Sequence, residues 1–176
     1  MLLVVDIQER FAASIQGWEP LVHNAGVLCR AMGELGVPAI ATEQNPRGLG
    51  HTVPSVRAAL PPGAPTFTKT RFSSLTPEVS AALAAHRRGT VLVCGIEAHV
   101  CILQTTLDLL ASGRQVFLST DCISAGQASQ IEPAFARMER AGALRTGTLS
   151  AIYELLGDAA HPRFKACLEM VKGLRT

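Results

Sequence analysis

The sequence predicts an α/β fold on a parallel sheet, and three observations carry that reading. Short β-branched apolar runs alternate with longer amphipathic stretches about six times along the chain, the pattern of strands joined by helical crossovers. Clusters of Gly, Pro and Asn fall between these stretches, where turns belong. With 176 residues and 48% hydrophobic content, the chain fills one core and is too short for two ordinary domains, so residues 1–176 read as a single domain.

The elements follow in order. Leu2-Leu3-Val4-Val5-Asp6 is a buried strand that ends on a carboxylate. From about Pro20, apolar positions at three and four spacing (Leu21, Val22, Ala25, Leu28, Met32) predict a helix closed by Gly36. Val37 to Thr42 is the second strand, Glu43 to Thr52 a loop, and Val53 to Leu60 a short helix. After the turn at Pro61-Pro62-Gly63 comes a third strand, Thr66 to Lys69. Thr76-Pro77-Glu78 supplies a cap, a first-position proline and an early acid for a helix to about His86. Thr90 to Gly95 is strand four and Ala98 to Ser112 its helix. Gln115 to Leu118 is strand five, followed by a polar loop around Asp121 to Gly126 and a helix from about Ser129 to Ala141. Ala143 to Thr146 is strand six, Leu149 to Leu156 a helix, and His161 to Lys172 a helical tail. Right-handed crossovers place helices on both faces of the sheet.

Composition narrows the function. Net charge is +2 with acids and bases interspersed, no basic run exceeds Arg87-Arg88, and aromatics are 5%, so no nucleic-acid partner is expected. The five cysteines form no C-x-x-C pair and are odd in number, which argues against a disulfide framework or a zinc ribbon. The apolar run Leu2 to Val5 is interrupted by Asp6 and has no basic flank, so neither a signal peptide nor a membrane span is expected. A reducing cytoplasm is the expected compartment.

Ligands of parallel sheets bind beyond the carboxyl ends of the strands. Three reactive groups fall there: Asp6 after strand one, Lys69 at the end of strand three and Cys101 at the start of the helix after strand four. A helix N-terminus favours a thiolate over a thiol and offers N–H groups to an oxyanion. Asp6 can accept the thiol proton, Lys69 can favour the thiolate, and Cys101 can attack a carbonyl. Each residue alone also fits a plainer role, Asp6 and Lys69 as a structural ion pair and Cys101 as core packing. Cys29 and Cys94 read as core, Cys122 as a loop residue and Cys167 as part of the tail. Phe11, Trp18 and Phe72 line a pocket or pack in the core or between subunits.

Val4-Val5-Asp6-Ile7-Gln8, Thr68-Lys69-Thr70-Arg71-Phe72-Ser73 and Gly95-Ile96-Glu97-Ala98-His99-Val100-Cys101 resemble the three motifs of the isochorismatase-like cysteine hydrolases, and the resemblance spans nearly the whole chain. The segments Thr42 to Gly50 and Leu156 to Lys165 look most like the isochorismatase domain-containing proteins of that family. The resemblance implies a three-layer α/β/α fold with strand order 3-2-1-4-5-6 and a triad of Asp6, Lys69 and Cys101. It also implies a non-proline cis peptide between Ile96 and Glu97, which turns the Glu97 and Cys101 N–H groups toward one oxyanion, and a homo-oligomer.

Where nicotinamidase-type relatives place an Asp-x-His metal site, this chain has Glu43-Gln44-Asn45-Pro46, so no catalytic metal and no cofactor is expected. His51 and His99 read as surface residues, with an indirect role near Cys101 open for His99. Phe11, Gln44 and Phe72 are the candidate pocket residues. The expected activity is metal-independent hydrolysis of a small amide, imide or related carbonyl compound through a covalent thioester. A thiol redox protein using Cys101, a catalytically silent interaction protein and an isochorismate-cleaving enzyme are the alternatives.

Overall fold

The computed structural model describes residues 1–175. Its elements are β1 (Leu2–Val5), α1 (Trp18–Glu34), β2 (Ala39–Gln44), α2 (Pro46–Leu49), α3 (Pro54–Ala59), β3 (Thr66–Lys69) and α4 (Pro77–Ala85) in the first half. The second half holds β4 (Thr90–Ile96), α5 (Leu103–Ala111), β5 (Gln115–Ser124), α6 (Ile131–Arg140), β6 (Leu144–Thr146), α7 (Thr148–Leu156) and α8 (Phe164–Val171). The six strands form one sheet ordered β3-β2-β1-β4-β5-β6, and every pairing is parallel.

Period-two alternation distributes the strand side chains between two cores. Leu2, Val4, Ala39, Ala41, Leu92 and Cys94 join the core under α1, α3, α7 and α8. Leu3, Val5, Ile40, Val91 and Val93 join the core under α4, α5 and α6. Both faces of the strands are thus buried, which explains why they read as continuous apolar runs.

Local signals end the elements where they should. Gly36 adopts φ +65° after α1, the Val37 N–H reaches the Met32 carbonyl at 2.8 Å and the Gly36 N–H reaches Gly33 at 3.2 Å. This is the paired-bond cap that a left-handed residue permits. The Thr76 hydroxyl caps α4 by accepting from the Val79 N–H.

Four local expectations are corrected. β1 ends at Val5, and Asp6 lies just past it with a left-handed φ of 55°. β2 runs on through Glu43 and Gln44, and a short helix, α2, forms inside the expected loop. β5 continues to Ser124, because the polar residues after Leu118 bulge out before pairing with β4 resumes at Gly95↔Ile123. Asp121 holds that bulge, its Oδ1 accepting from Ser119 Oγ at 3.1 Å, Thr148 N at 2.9 Å and Thr148 Oγ1 at 3.0 Å. Cys122 is therefore a fully buried strand residue and not a loop residue. Lastly, residues Ala98–Ile102 form a π-helical turn before α5 begins.

Candidate active site

The strand order brings β1 and β4 side by side in register, with Val5 opposite Gly95. On one side of this seam the connections lead to α1 and α3, on the other to α5 and α6, so the chain ends diverge and leave a crevice. Gly95 permits the close approach. Its φ is +126°, and a Cβ there would overlap the Val5 backbone.

Asp6, Lys69 and Cys101 meet in this crevice. They are 1%, 5% and 7% exposed. Lys69 reaches across β2 from β3, placing its Nζ 2.6 Å from Asp6 Oδ2 and 3.6 Å from Cys101 Sγ. Thr42, which sits opposite Val5 on β2, donates its hydroxyl to Asp6 Oδ1 at 2.9 Å. Ser74 stands 3.1 Å behind Thr42, and the Ser74 N–H is held by Thr105 Oγ1 at 2.8 Å. Since the Thr42 proton points to the carboxylate, Ser74 must donate to Thr42.

Burial and the Asp6 charge push the Cys101 thiol up to about 12, against the opposing pull of Lys69. Burial likewise raises Asp6 above the usual carboxylate range, and the Lys69 charge and the Lys69 and Thr42 hydrogen bonds only partly offset it. The resting site is thus a neutral thiol beside a carboxylate–ammonium pair. Cys101 sits within the π-helical turn and not at the N-terminus of α5, and the Val100 N–H and Ile102 N–H both return to the Glu97 carbonyl.

The Ile96–Glu97 peptide that opens this turn is cis. The Glu97 carboxylate accepts from the Gly126 N–H at 2.8 Å, which ties the turn to the end of β5. Phe72 is 53% exposed, while its carbonyl accepts from Lys69 Nζ at 3.0 Å. Phe11 and Trp18 are half-buried and pack on the α1 core. Gln44 is half-buried, with Oε1 accepting from Lys69 Nζ at 2.8 Å and Nε2 donating to the Thr70 carbonyl at 2.7 Å.

His51 is exposed, as expected, but it is not alone: its Nδ1 lies 3.0 Å from Glu43 Oε2. Glu43 Oε1 accepts from both Thr52 N and Thr52 Oγ1. Burial works to raise Glu43, yet the bonds from Thr52 and His51 outweigh it and hold the carboxyl below its ordinary range. His99 is half-buried, and its Nδ1 is buried without a hydrogen-bond partner.

Thr42, Ser74 and Gln8 are the contributors that sequence reasoning did not single out. Thr42 and Gln8 stood inside quoted motifs, but a hydroxyl or an amide carries no periodic signal. A cleft of about 690 Å³ lies at the opposite edge of the sheet among Met1, Pro38, Thr90, Phe117 and Leu155, away from this chemistry.

Residues 1–149 match the model of the Isochorismatase domain. Isochorismatase domain-containing protein 2 of Macaca fascicularis is 41% identical over 174 residues, covering 98% of this chain and 82% of that protein. The solved structure of the MAR1 ribonuclease from Caenorhabditis elegans superposes with a TM-score of 0.94 at 39% identity, over 97% of this chain and 88% of that one. The YcaC gene product of Escherichia coli, described as an octameric hydrolase of unknown specificity, shares the fold alone, with a TM-score of 0.90 at 22% identity over 98% and 86% of the two chains. With the expected strand order, motifs gathered in one crevice and relatives matched along nearly its whole length, the chain belongs to the isochorismatase domain family.

Proposed function

We propose that this protein is a metal-independent cysteine hydrolase acting on a small amide, imide or related carbonyl compound. The observation that carries the reading is the buried contact of Lys69 Nζ with both Asp6 Oδ2 and Cys101 Sγ. Because the resting thiol is neutral, the Cys101 proton passes to Asp6 as the sulfur attacks the carbonyl carbon. The Glu97 and Cys101 N–H groups receive the tetrahedral oxyanion. Asp6 then returns the proton to the departing nitrogen, the C–N bond breaks, and a thioester remains. Asp6 next takes a proton from water, whose oxygen attacks the thioester, and returns it to sulfur as the acid leaves. Lys69 stays charged throughout and compensates whichever of Asp6 or Cys101 is anionic. Every proton and charge is thus assigned to the chain's own groups, with no metal or cofactor required.

Phe11, Gln44 and Phe72 serve as pocket residues in this reading, and Phe72 is exposed. A homo-oligomer, the assembly expected from the motif resemblance, is part of this proposal. No helix of the described residues is long and apolar enough to cross a membrane, and five free, buried cysteines support a reducing compartment. The raised thiol weighs against a redox role for Cys101, since a sensor thiol works as a thiolate.

Replacing Cys101 by alanine removes the nucleophile. Turnover of a substrate found by screening amides and imides should fall at least about a thousandfold, and full retention of activity would sink the assignment. A second reading, ribonucleolytic cleavage, is favoured by the likeness to the ribonuclease structure. Incubation with single-stranded RNA separates the two: RNA cleavage lost in Cys101→Ala would move the substrate class to phosphodiesters.

A further inference from the structure

We infer that Gln8 is a positioning residue for Lys69, acting through Gln44; the inference rests on reading Asp6, Lys69 and Cys101 as one reactive unit. Gln8 is fully buried, two residues past Asp6 at the exit of β1. A buried amide is costly unless its groups are satisfied, and here they are. Its Oε1 accepts from the Gln44 N–H at 2.7 Å, and its Nε2 donates to the Gln44 carbonyl at 3.0 Å and the Gly50 carbonyl at 2.6 Å.

This side chain replaces a missing rung of the sheet. Pairing of β1 with β2 stops at Val5↔Thr42, because Asp6 leaves the strand with φ 55°. Two residues further on, Gln8 meets both backbone groups of Gln44 as a strand neighbour would. The Gln44 peptide is thereby held next to the residue pair Gln44↔Lys69 of β2 and β3, and its side chain is aimed at the ammonium.

An ammonium has three N–H bonds to give. The three shortest contacts of Lys69 Nζ are Asp6 Oδ2 at 2.6 Å, Gln44 Oε1 at 2.8 Å and the Phe72 carbonyl at 3.0 Å. Gln44 therefore decides where the ammonium stands between carboxylate and sulfur. It does so without adding a second anion to compete with the thiolate for the one cation.

The test reads Cys101 directly and needs no substrate. Alkylation of Cys101 by iodoacetamide is followed by intact mass and peptide mapping across about pH 6 to 10, where thiolate fraction sets the rate. Gln8→Ala and Gln44→Met should each slow Cys101 alkylation at pH 8 by about tenfold, the factor expected when a hydrogen bond to a charged group is lost. Across this range, which lies below the folded value of the thiol, the rate rises with pH, and the whole rising limb should be displaced to higher pH. The double variant should be no slower than Gln44→Met, because both act through one contact. A Gln8→Ala profile equal to wild type, with only a lower unfolding midpoint, would overturn the inference. If that variant fails to fold, Gln8→Glu is judged by the same criterion; it keeps the acceptor for the Gln44 N–H and loses both donations. Asp6→Asn separates this inference from the one beneath it, since removing the Asp6 charge beside Lys69 should shift the profile to lower pH. No shift there would remove the reactive unit and the inference with it; a shift there with unchanged Gln8 and Gln44 variants would remove only the positioning role.

Discussion

Asp6 carries two opposed demands. It must be buried to meet Cys101, yet burial raises its proton affinity above that of an ordinary carboxylate. The Thr42 hydroxyl and the Lys69 ammonium oppose that rise. A base works only while ionised, so activity should fall as pH drops through the raised Asp6 value. Thr42→Val deletes a bond to the ionised form and should move the acid limb of kcat/KM upward by about one pH unit. The pH–rate profile of the variant checks this, and an unmoved limb would remove Thr42 from the tuning of Asp6. The reactive residues themselves were legible because Asp6 and Lys69 close predicted strands and Cys101 opens the helix that follows one. Their states were not, since spacing predicts convergence but not how much water or charge surrounds a thiol.

At the scale of elements, the meeting of β1, β4 and the π-helical turn depends on Gly95. Its positive φ and the Val5 backbone against its α-carbon leave no room for a side chain. Gly95→Ala should lose more than about 3 kcal/mol of stability through backbone strain and overlap. Urea unfolding measures that loss, and a loss under about 1 kcal/mol would show that β1 and β4 can part cheaply. Strands and helices were readable wherever period or caps were strong, as in α1 with its Gly36 closure and α4 with Thr76-Pro77-Glu78. Reading failed where polar residues continue a strand. Residues Asp121 to Ser124, inside the expected loop, continue β5, and only Thr148, distant in sequence, reveals that Asp121 is held.

Across the whole molecule, burial of thiols links stability to alkaline pH. Burial pushes both Cys29 and Cys101 up to about 12 from an ordinary value of 9.0. Below that ordinary value the thiols are protonated in both folded and unfolded chains, and stability is unaffected by them. Above it the unfolded thiols ionise first, so stability is lost as pH rises toward the folded values. Each such thiol should lower the unfolding free energy by about 1.4 kcal/mol per pH unit in that window. Urea unfolding at a series of alkaline pH values measures the slope, which Cys29→Ala should reduce by one thiol's share; an unchanged slope would exclude Cys29 from the linkage.

Local pattern alone places the alternation of strands and helices and brings Asp6, Lys69 and Cys101 to one end of the sheet. These follow from periodicity and from polar groups placed where apolar runs end, both local properties. Packing in three dimensions sets Asp6 off its strand, Cys101 in a π-helical turn, Thr42 against the Asp6 carboxylate and Gln8 against the Gln44 backbone. Those outcomes depend on which strands become neighbours and on hydrogen bonds between residues tens of positions apart, such as Gln8 with Gln44 and Lys69 with Asp6. Such bonds leave no periodic trace in the chain.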